Sequence, residues 1–364
     1  MTPERITIRA GAAESVVWVG SGLIDDAATR LVSPSGRYLL VSSPGSRATA
    51  DRIRGAVSGR LLADVEIDDS ESAKTLDAVG AIADRALERG VRRDDAFVAV
   101  GGGVVTDVAG FAAAIVLRGI AWNAIPTTIA GMADAAIGGK TGVDHRLGKN
   151  LLGAFHLPRS VLVDPAAVGT LSDRDYRSGL VEAFKAAWIR DPELSARASA
   201  RIDAILSRDE EALLDLIAGA VRVKADVVSS DPTDRGPRRL LNFGHTLGHA
   251  LEAGEGYRGL KHGEAVAWGI AAAVEISRHR AGLSRDDAES VLALLGRLGP
   301  FPRPTVSAAA LRPLLARDKK ATAGGVAGVL LEAIGRARVE EAIPAEEWLR
   351  AAESAVIPFS EAGS

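Results

Sequence analysis

The segment AFVAVGGGVVTD, residues 96–107, decides the fold class. An apolar run at 96–100 is followed by three glycines and then by a stretch, 104–117, with the apolar spacing of a helix. A strand, a glycine turn and a helix in this order let backbone N–H groups at the helix start approach a phosphate. The glycines lack the GxGxxG spacing of the dinucleotide-binding fingerprint, so a simple tight turn and a phosphate-binding loop both stay open here.

The neighbouring sequence repeats this alternation of strand and helix patterns. Predicted strands lie at 5–9, 15–19, 38–42, 62–67, 96–100 and 160–163, and predicted helices at 46–57, 73–89 and 104–117. Strands that alternate with helices are typical of βαβ units in a parallel sheet. The sequence therefore predicts a Rossmann-like α/β domain, and the two short alternating strands at the start predict a hairpin.

The pattern changes near residue 172. Helical spacing follows at 179–190, 192–206, 209–228, 240–253, 263–281 and 285–298, and a hairpin is expected from 327–331 and 336–339. We therefore predict an α/β domain over 1–172 and a mainly α-helical domain over 173–364, which fits a chain too long for one ordinary domain.

Composition excludes several classes of protein. The chain has 364 residues, of which 47% are hydrophobic and 25% charged, and it has no cysteine. A globular balance excludes a disordered chain, and the lack of cysteine excludes disulfides and thiolate metal sites. The net charge of −3 predicts no nucleic-acid or anionic membrane partner. The apolar runs are shorter than the roughly 20 residues of a membrane span, and no secretory signal is visible, so we expect a cytoplasmic protein.

Three of the six histidines cluster in NFGHTLGH, 242–249, and HGE, 262–264. His245 and His249 are four residues apart and would share one face of a helix. With His262 and a carboxylate they could bind a divalent metal and leave one position open, whereas hydrogen-bonded structural histidines are the alternative. The best carboxylate donor is Glu182, three residues before Lys185 in an apolar stretch, although these two could also form a simple surface ion pair.

Paired glycines and lysines in DAAIGGKTGV, 134–143, and GKN, 148–150, suggest a site for an anion, because glycine allows close backbone approach. The Walker pattern fails because Asp134 stands where its first glycine would be. Arg118, Lys224 and Arg238 lie among apolar residues. Each alone could be a snorkelling surface residue, but together they indicate a pocket for a multiply anionic small molecule.

Taken together, these motifs resemble the 3-dehydroquinate synthase family of the sugar phosphate cyclases. The matching motifs are GGGVVTD at 101–107, LRG at 117–119, PTT at 126–128, GGKTGV at 138–143, GKN at 148–150, ExxK at 182–185, NFGHTLGH at 242–249, HGE at 262–264, DKK at 318–320 and VLL at 329–331. They run in the family's order from about residue 68 to 335.

The resemblance implies an NAD⁺- and Zn²⁺- (or Co²⁺-) dependent enzyme of the shikimate pathway. It would convert 3-deoxy-D-arabino-heptulosonate 7-phosphate to 3-dehydroquinate and phosphate, by transient oxidation, phosphate elimination, re-reduction and aldol closure. By resemblance Glu182, His245 and His262 would bind the metal, which would polarise the substrate alcohol. His249 would then serve the substrate and proton transfer rather than chelate with His245.

The resemblance also assigns the remaining site residues. Those expected to contact the substrate or orient its neighbours are Asp134, Lys140, Asn150, Lys185, Lys224, Arg238, Asn242, His249, Arg118 and one of Lys319 and Lys320, with Lys320 preferred. Those expected to bind NAD⁺ are Asp69, Glu71, Lys74, Gly102, Gly103, Val104, Val105, Thr106, Asp107, Thr127, Thr128, Lys140, Lys149, Ala167, Val168, Gly169 and Thr170. We expect Glu71 to accept from ribose hydroxyls and to repel the extra phosphate of NADP⁺.

Other functions remain as alternatives. Cyclases acting on sedoheptulose 7-phosphate tend to replace GGKTG and the second histidine of NFGHTxGH, but Lys140 and His249 are both present here. An aminodehydroquinate synthase, a metal-dependent NAD alcohol dehydrogenase and a non-catalytic nucleotide-binding protein are further candidates. A small-molecule sugar phosphate substrate and a homodimer are what the resemblance implies.

Overall fold

The structure, a computed structural model, describes residues 2–316, 321–322 and 325–357. The chain forms two compact units, Met1–Ser172 with Lys224–Thr233, and Asp173–Val223 with Asp234–Ser364. The sequence placed everything after residue 172 in a second domain, whereas Lys224–Thr233 belongs with the first unit. The physical reason is that this segment forms hydrogen bonds with the first unit. Lys224 donates to Asp134, and Ser229 Oγ accepts from the backbone N–H of Arg9 at 3.3 Å.

Among its described residues, the first unit has a seven-stranded sheet in the order β1-β2-β9-β6-β5-β3-β4 and a separate hairpin β7-β8. Strands β1 and β2 pair antiparallel, and the other neighbours in the sheet are parallel. The strands are β1 Glu4–Ala10, β2 Ala13–Val19, β3 Tyr38–Ser42, β4 Leu61–Glu66, β5 Ala96–Gly101, β6 Ala121–Pro126, β7 Lys140–His145, β8 Gly148–Phe155 and β9 Ser160–Val163.

Helices connect the parallel strands of this sheet. They are α1 Ala27–Arg30, α2 Arg47–Ala56, α3 Leu76–Glu88 and α4 Gly103–Ile115, with a π-helical turn at Gly131–Ala135. Strand β5 is buried along its whole length, as expected for a central strand of a parallel sheet. Strand β3 has β4 on one side and β5 on the other, so the order of connections reverses there. Ligands of open α/β sheets bind outside the carboxyl ends of the strands at such a point.

The second unit is mainly helical over the residues that are described. Its helices are α5 Asp173–Arg190, α6 Pro192–Ala200, α7 Ile202–Leu206, α8 Glu210–Ser230 (whose last turns belong to the first unit), α9 His245–Gly254, α10 His262–Arg280, α11 Arg285–Leu298, α12 Ala308–Ala316 and α13 Ala345–Ser354. Strands β10 Ala321–Thr322, β11 Gly325–Ala333 and β12 Arg336–Ile343 form a small antiparallel sheet. Helix α10 is buried from Gly263 to Val274, so it forms the centre of this unit.

The α/β-plus-helical architecture predicted from the sequence is confirmed. The predicted strand at 38–42, the strand at 160–163 and the helix at 285–298 have the observed bounds. The expected hairpin near Gly335 is also present, as β11 and β12. The predictions contained no strand at β6 and no hairpin at β7-β8. Among the described residues, no helix is long and apolar enough to cross a membrane.

Candidate active site

Helices α9 and α10 approach each other closely because glycines face their contact. Gly244 precedes α9 with φ +79°, and a Cβ there would lie 2.8 Å from the carbonyl oxygen of Val266. A Cβ on Gly269 would overlap the carbonyl oxygen of Gly244. Only glycine fits both the left-handed backbone and the short separation. This contact brings His245, the first residue of α9, close to His262, the first residue of α10.

Three potential metal ligands meet at these helix starts. Glu182 Oε1, from the middle of α5, lies 3.8 Å from His245 Nε2 and 3.6 Å from His262 Nε2. One ligand atom from each residue lies within 4.8 Å of the other two. Two ligands about 2.1 Å from a tetrahedral metal are roughly 3.4 Å apart, so the observed spacing is close to that of a zinc site.

The protonation of His245 suits a metal ligand. Its Nδ1 lies 3.2 Å from the carbonyl oxygen of Phe243, which can only accept, so Nδ1 must carry the proton. The lone pair of Nε2 therefore faces Glu182. Burial, together with the positive charge of Lys185, lowers the pKa of His245 well below its ordinary value. The imidazole is thus neutral at pH 7, which is the state that binds a metal.

The two oxygens of Glu182 have different surroundings. Lys185 Nζ donates to Oε2 at 2.5 Å, and both side chains are at most 2% exposed. Oε1 is buried and has no hydrogen-bond partner among the described residues. A buried polar atom without a partner is costly, and a cation between Oε1 and the two Nε2 atoms would satisfy it. The residues present therefore fit a divalent metal.

Other contacts hold the start of α10 in place. Arg174 on α5 donates to both carboxylate oxygens of Glu264, at 2.6 and 2.7 Å, and Glu264 also accepts from the backbone N–H of Lys261. Bidentate pairs of this kind fix geometry as well as adding energy. The backbone N–H of Gly263 donates to Ser178 Oγ at 3.1 Å. These bonds tie the helix that begins at His262 to the helix that carries Glu182.

His249 lies beside the metal-ligand group but forms a different one. Its ring centre is 5.1 Å from that of His245 and 6.0 Å from that of His262. It groups with Glu252 and His262 rather than with Glu182. The structure thus does not group His245 and His249 as two ligands of one metal on a shared helix face. Glu182 and Lys185, for which a surface ion pair was the alternative, form a buried pair.

In the first unit, the glycine-rich segment lies at the carboxyl end of β5, next to the point where the order of connections reverses. Gly101 ends β5, Gly102 caps α4, and α4 begins at Gly103. The backbone N–H of Thr127, which follows β6, donates to the carbonyl oxygen of Gly101 at 3.0 Å. A Cβ on Gly102 would lie 3.0 Å from Thr128 Cγ2. The start of this 13-residue helix and the end of β6 thus lie together, as the phosphate-binding prediction requires.

A buried lysine links several of the predicted cofactor residues. Lys74 Nζ donates to Asp107 Oδ2 at 2.7 Å and to Asn150 Oδ1 at 2.5 Å. Burial alone would lower the pKa of Lys74, but the nearby carboxylates of Asp107 and Glu71 outweigh it and raise the pKa. Lys149 Nζ lies 3.2 Å from Glu71 Oε1. Glu71 is therefore held by a lysine and directed towards this cluster.

The Gly/Lys-rich segment forms the hairpin β7-β8. Lys140 begins β7 and Asn150 lies in β8, where its φ of +52° is in the left-handed region that asparagine tolerates. Lys224 donates to the carbonyl oxygen of Asp134 at 2.5 Å and also to its carboxylate. Asp134 and Lys224, both predicted as substrate-site residues, thus form a hydrogen-bonded ion pair within the first unit.

The other predicted residues have simpler surroundings. Arg118 is exposed and follows Leu117, and both have positive φ, at 68° and 49°. Asp69 accepts from the backbone N–H of Gly45. Arg238 is 1% exposed, and Asn242 donates to the carbonyl oxygen of Arg239. Positions 167–170 span the end of the short helix Pro165–Val168 and the residues after it. Lys319 and Lys320 lie outside the described residues.

Sequence reasoning missed Glu252, which is 3% exposed with Oε2 only 3.2 Å from His262 Nδ1. Its position seven residues after His245, or two helical turns, was the signal that could have found it. It also missed Arg174, whose partner Glu264 is the last residue of the HGE motif at 262–264.

Comparison with known proteins assigns the chain to a family. Residues 64–178 match the family described as 3-dehydroquinate synthase N-terminal, and residues 179–321 match 3-dehydroquinate synthase C-terminal. The 3-dehydroquinate synthase of Methylococcus capsulatus is 40% identical over 90% of this chain and 93% of its own. That of Solibacter usitatus is 42% identical, over 89% and 92%.

The solved structures give the same result for the fold. The 2-epi-5-epi-valiolone synthase of Streptomyces hygroscopicus subsp. jinggangensis, with NAD⁺ and Zn²⁺ bound, matches with a TM-score of 0.84 and 30% identity, over 94% of this chain and 98% of its own. With both halves of the family matched and identities of 40% and more over nine tenths of the curated relatives, the chain belongs to the 3-dehydroquinate synthase family.

Proposed function

We propose that the protein converts 3-deoxy-D-arabino-heptulosonate 7-phosphate to 3-dehydroquinate and inorganic phosphate. The observation that carries the proposal is the buried Glu182 Oε1, which faces two imidazole Nε2 atoms and has no hydrogen-bond partner among the described residues. Family membership supplies the reaction class. The alternatives within the superfamily share the cofactors and differ in the substrate.

We propose that Glu182, His245 and His262 hold one divalent metal in the second unit. A bound Zn²⁺ or Co²⁺ would act as a Lewis acid on a substrate hydroxyl. His262 is 41% exposed at its side chain, whereas Glu182 is 1% exposed. The group is therefore closed on the Glu182 side and accessible on the His262 side, which leaves room for a further ligand from the substrate.

In the first unit, we propose that the start of α4 and the Lys74 cluster hold NAD⁺. Bound NAD⁺ would accept a hydride and return it, so the reaction has no net redox change. The N–H groups at Gly102 and Gly103 suit a pyrophosphate, and Glu71 suits the ribose hydroxyls because a carboxylate accepts hydrogen bonds. A carboxylate there also disfavours the additional phosphate of NADP⁺.

Buried cations support a multiply anionic substrate. Lys185 and Arg238 are 2% and 1% exposed in the second unit, and Lys224 is 5% exposed in the first. Buried charges are retained when they are paired or bind an oppositely charged ligand. We propose that Lys185, Arg238 and Asn242, and likewise Lys140, Asn150 and Lys224, bind substrate oxygens, and that Asp134 orients Lys224. Arg118 and Lys320 remain assigned to the substrate phosphate.

We propose that His249 moves a proton for the substrate. It lies one turn after His245 on α9 and is exposed, unlike His245. Histidine is the side chain that most often performs general acid–base catalysis. The presence of both His249 and Lys140 favours the carboxylate-bearing substrate over sedoheptulose 7-phosphate.

The test is to measure phosphate and NADH in the same assay. With 3-deoxy-D-arabino-heptulosonate 7-phosphate and NAD⁺, we expect phosphate release without accumulation of NADH. An alcohol dehydrogenase would instead accumulate NADH without phosphate, and a nucleotide-binding protein would give neither. Phosphate release from sedoheptulose 7-phosphate, but not from the acid, would identify a different cyclase.

We further propose that the protein is a cytoplasmic homodimer. In the first unit, Leu151 and Phe155 lie four residues apart on one face of β8 and are 36% and 56% exposed. A second copy of the chain could cover such exposed apolar side chains on a strand face. Sedimentation of the wild type and of Phe155→Glu tests this, since we expect a dimer for the first and a monomer for the second. Cell fractionation tests the location.

A further inference from the structure

The ring of His262 lies between two carboxylates. Its Nε2 is 3.6 Å from Glu182 Oε1, and its Nδ1 is 3.2 Å from Glu252 Oε2. Glu182 comes from α5 and Glu252 from α9, so two different helices face the two nitrogens of one imidazole. Because a neutral imidazole has one donor nitrogen and one acceptor nitrogen, the two carboxylates must have different roles.

Glu252 is a buried acid with a defined position. It lies on α9, two turns after His245, and it is 3% exposed. Burying a carboxylate is costly unless hydrogen bonds compensate for the lost water. The contact with His262 is one such bond, and it involves the exposed member of the metal-ligand group rather than the buried one.

The direction of this hydrogen bond determines the state of His262. An ionised carboxylate can only accept, so Nδ1 must donate and the lone pair is left on Nε2, facing Glu182. His245 obtains the same state from a backbone carbonyl, that of Phe243. A backbone acceptor is fixed by the chain, whereas His262 depends on a side chain that a substitution can remove.

We propose that Glu252 is a positioning residue for the metal site. It holds the ring of His262 in the tautomer and orientation that direct Nε2 towards Glu182 and His245. This inference rests on the proposed function, in which Glu182, His245 and His262 bind one metal. Carboxylates that accept from a metal-bound histidine commonly change metal affinity about 10–100-fold when they are removed.

A competing role for Glu252 is direct metal ligation. Ligand atoms of His249, Glu252 and His262 also lie within 4.8 Å of one another. A metal on both nitrogens of His262 would require a fully deprotonated imidazole, which is less accessible than the neutral ring. The geometry of the Glu252–His262 contact is that of a hydrogen bond, and the number of metal ions bound per chain separates the two roles.

The experiment measures Zn²⁺ binding by the metal-stripped full-length protein, in competition with a chromophoric chelator. We expect one equivalent for the wild type and a 10–100-fold weaker affinity for Glu252→Ala. Glu252→Gln should lose less, because its amide oxygen can still accept from Nδ1. The matched control is Glu275→Gln, which alters a partly exposed carboxylate 3.1 Å from His279 on the same helix as His262 and should bind as the wild type does.

The Co²⁺-substituted proteins give a second readout. The visible absorption of Co²⁺ reports ligand geometry, so we expect an altered spectrum for Glu252→Ala and a spectrum close to wild type for Glu252→Gln and Glu275→Gln. A purely structural role for Glu252 would lower the melting temperature without changing metal affinity or this spectrum. The isosteric Glu252→Gln variant keeps the test valid if Glu252→Ala does not fold.

Each contrary outcome has a distinct meaning. Unchanged affinity and spectrum in both Glu252 variants, while His262→Ala abolishes binding, would overturn the positioning role and leave the metal site intact. Two equivalents in the wild type and one in Glu252→Ala would make Glu252 a ligand and likewise overturn it. A wild type that binds no metal would overturn this inference together with the proposed function.

Discussion

Lys185 donates its hydrogen bond to Oε2 of Glu182, and this leaves Oε1, the oxygen that faces His245 and His262, without a protein partner among the described residues. The two residues are three apart on α5, and both are buried. The two oxygens of this carboxylate thus differ: Oε2 accepts from Lys185, and Oε1 faces the position proposed for a cation. The bond from Lys185 therefore orients this carboxylate before a metal binds.

Replacing Lys185 with methionine should destabilise the metal-free protein. Removing one partner of a buried ion pair leaves the other charge uncompensated, which typically costs about 3–5 kcal/mol. We expect this loss in urea unfolding with a chelator present, and a smaller loss with Zn²⁺, because a bound cation compensates Glu182. Arg285→Met, at an exposed ion pair, is the control. An equal loss with and without Zn²⁺ would contradict the proposed position of the metal.

Gly263→Ala should separate α5 from α10. A Cβ at this position would overlap the carbonyl oxygen of Ser178, four residues before Glu182. Backbone shifts of this kind cost about 1–3 kcal/mol or more, and here they would move His262 away from Glu182. We expect lower stability and weaker Zn²⁺ binding. Gly80→Ala on α3, where a Cβ meets nothing within 4 Å, should be neutral or stabilising. Wild-type Zn²⁺ affinity in Gly263→Ala would refute this prediction.

Glu71→Ala should weaken NAD⁺ binding and reduce the preference for NAD⁺ over NADP⁺. The loss of a hydrogen bond to a charged group costs about 1.5–3 kcal/mol, which is roughly a tenfold or larger loss in affinity. Calorimetric titration with both nucleotides measures the change, with Glu88→Ala on α3 as the exposed control. If the NAD⁺ affinity of Glu71→Ala equals that of the wild type, Glu71 does not bind the ribose.

Tyr176→Phe should change stability in alkali. Burial raises the pKa of Tyr176 to about 12, and its hydroxyl donates to the carbonyl oxygen of Ile205 at 2.6 Å. Because the folded pKa lies above the unfolded value of about 10, the contribution of the neutral phenol is complete below pH 10 and is lost as the pH rises towards 12. The variant should lose about 1 kcal/mol at pH 7 and show a flatter decline between pH 10 and 12. Urea unfolding across that range measures both, and identical slopes would contradict the assignment.

The regular elements could be predicted where their pattern was strong. Strand β3 is five apolar or small residues before a Pro-Gly turn, and α11 has a serine N-cap at Ser284 followed by helical spacing. Strand β6 was missed because Asn123 interrupts its apolar run. In the structure Asn123 is buried, and its side chain bonds to the backbone of Val32 and Phe97. Such long-range satisfaction of a polar side chain leaves no local signal.

The candidate site shows the same limit. The sequence motifs pointed to Glu182, His245 and His262, but they contained no information on which nitrogen or oxygen faces which neighbour. Glu252 was missed because its partner His262 lies on another helix, ten residues further on. The hairpin β7-β8 was missed because glycines and lysines are typical of loops. Its glycines Gly142 and Gly153 instead permit close pairing of the two strands.

Phosphate release from 3-deoxy-D-arabino-heptulosonate 7-phosphate by the metal-stripped protein with NAD⁺ tests the metal dependence of the reaction at this site. We predict no release until one equivalent of Zn²⁺ or Co²⁺ is added, full release afterwards without accumulated NADH, and neither metal binding nor release for His262→Ala. Release that continues in the stripped protein, or in His262→Ala, would contradict a metal-dependent reaction at Glu182, His245 and His262.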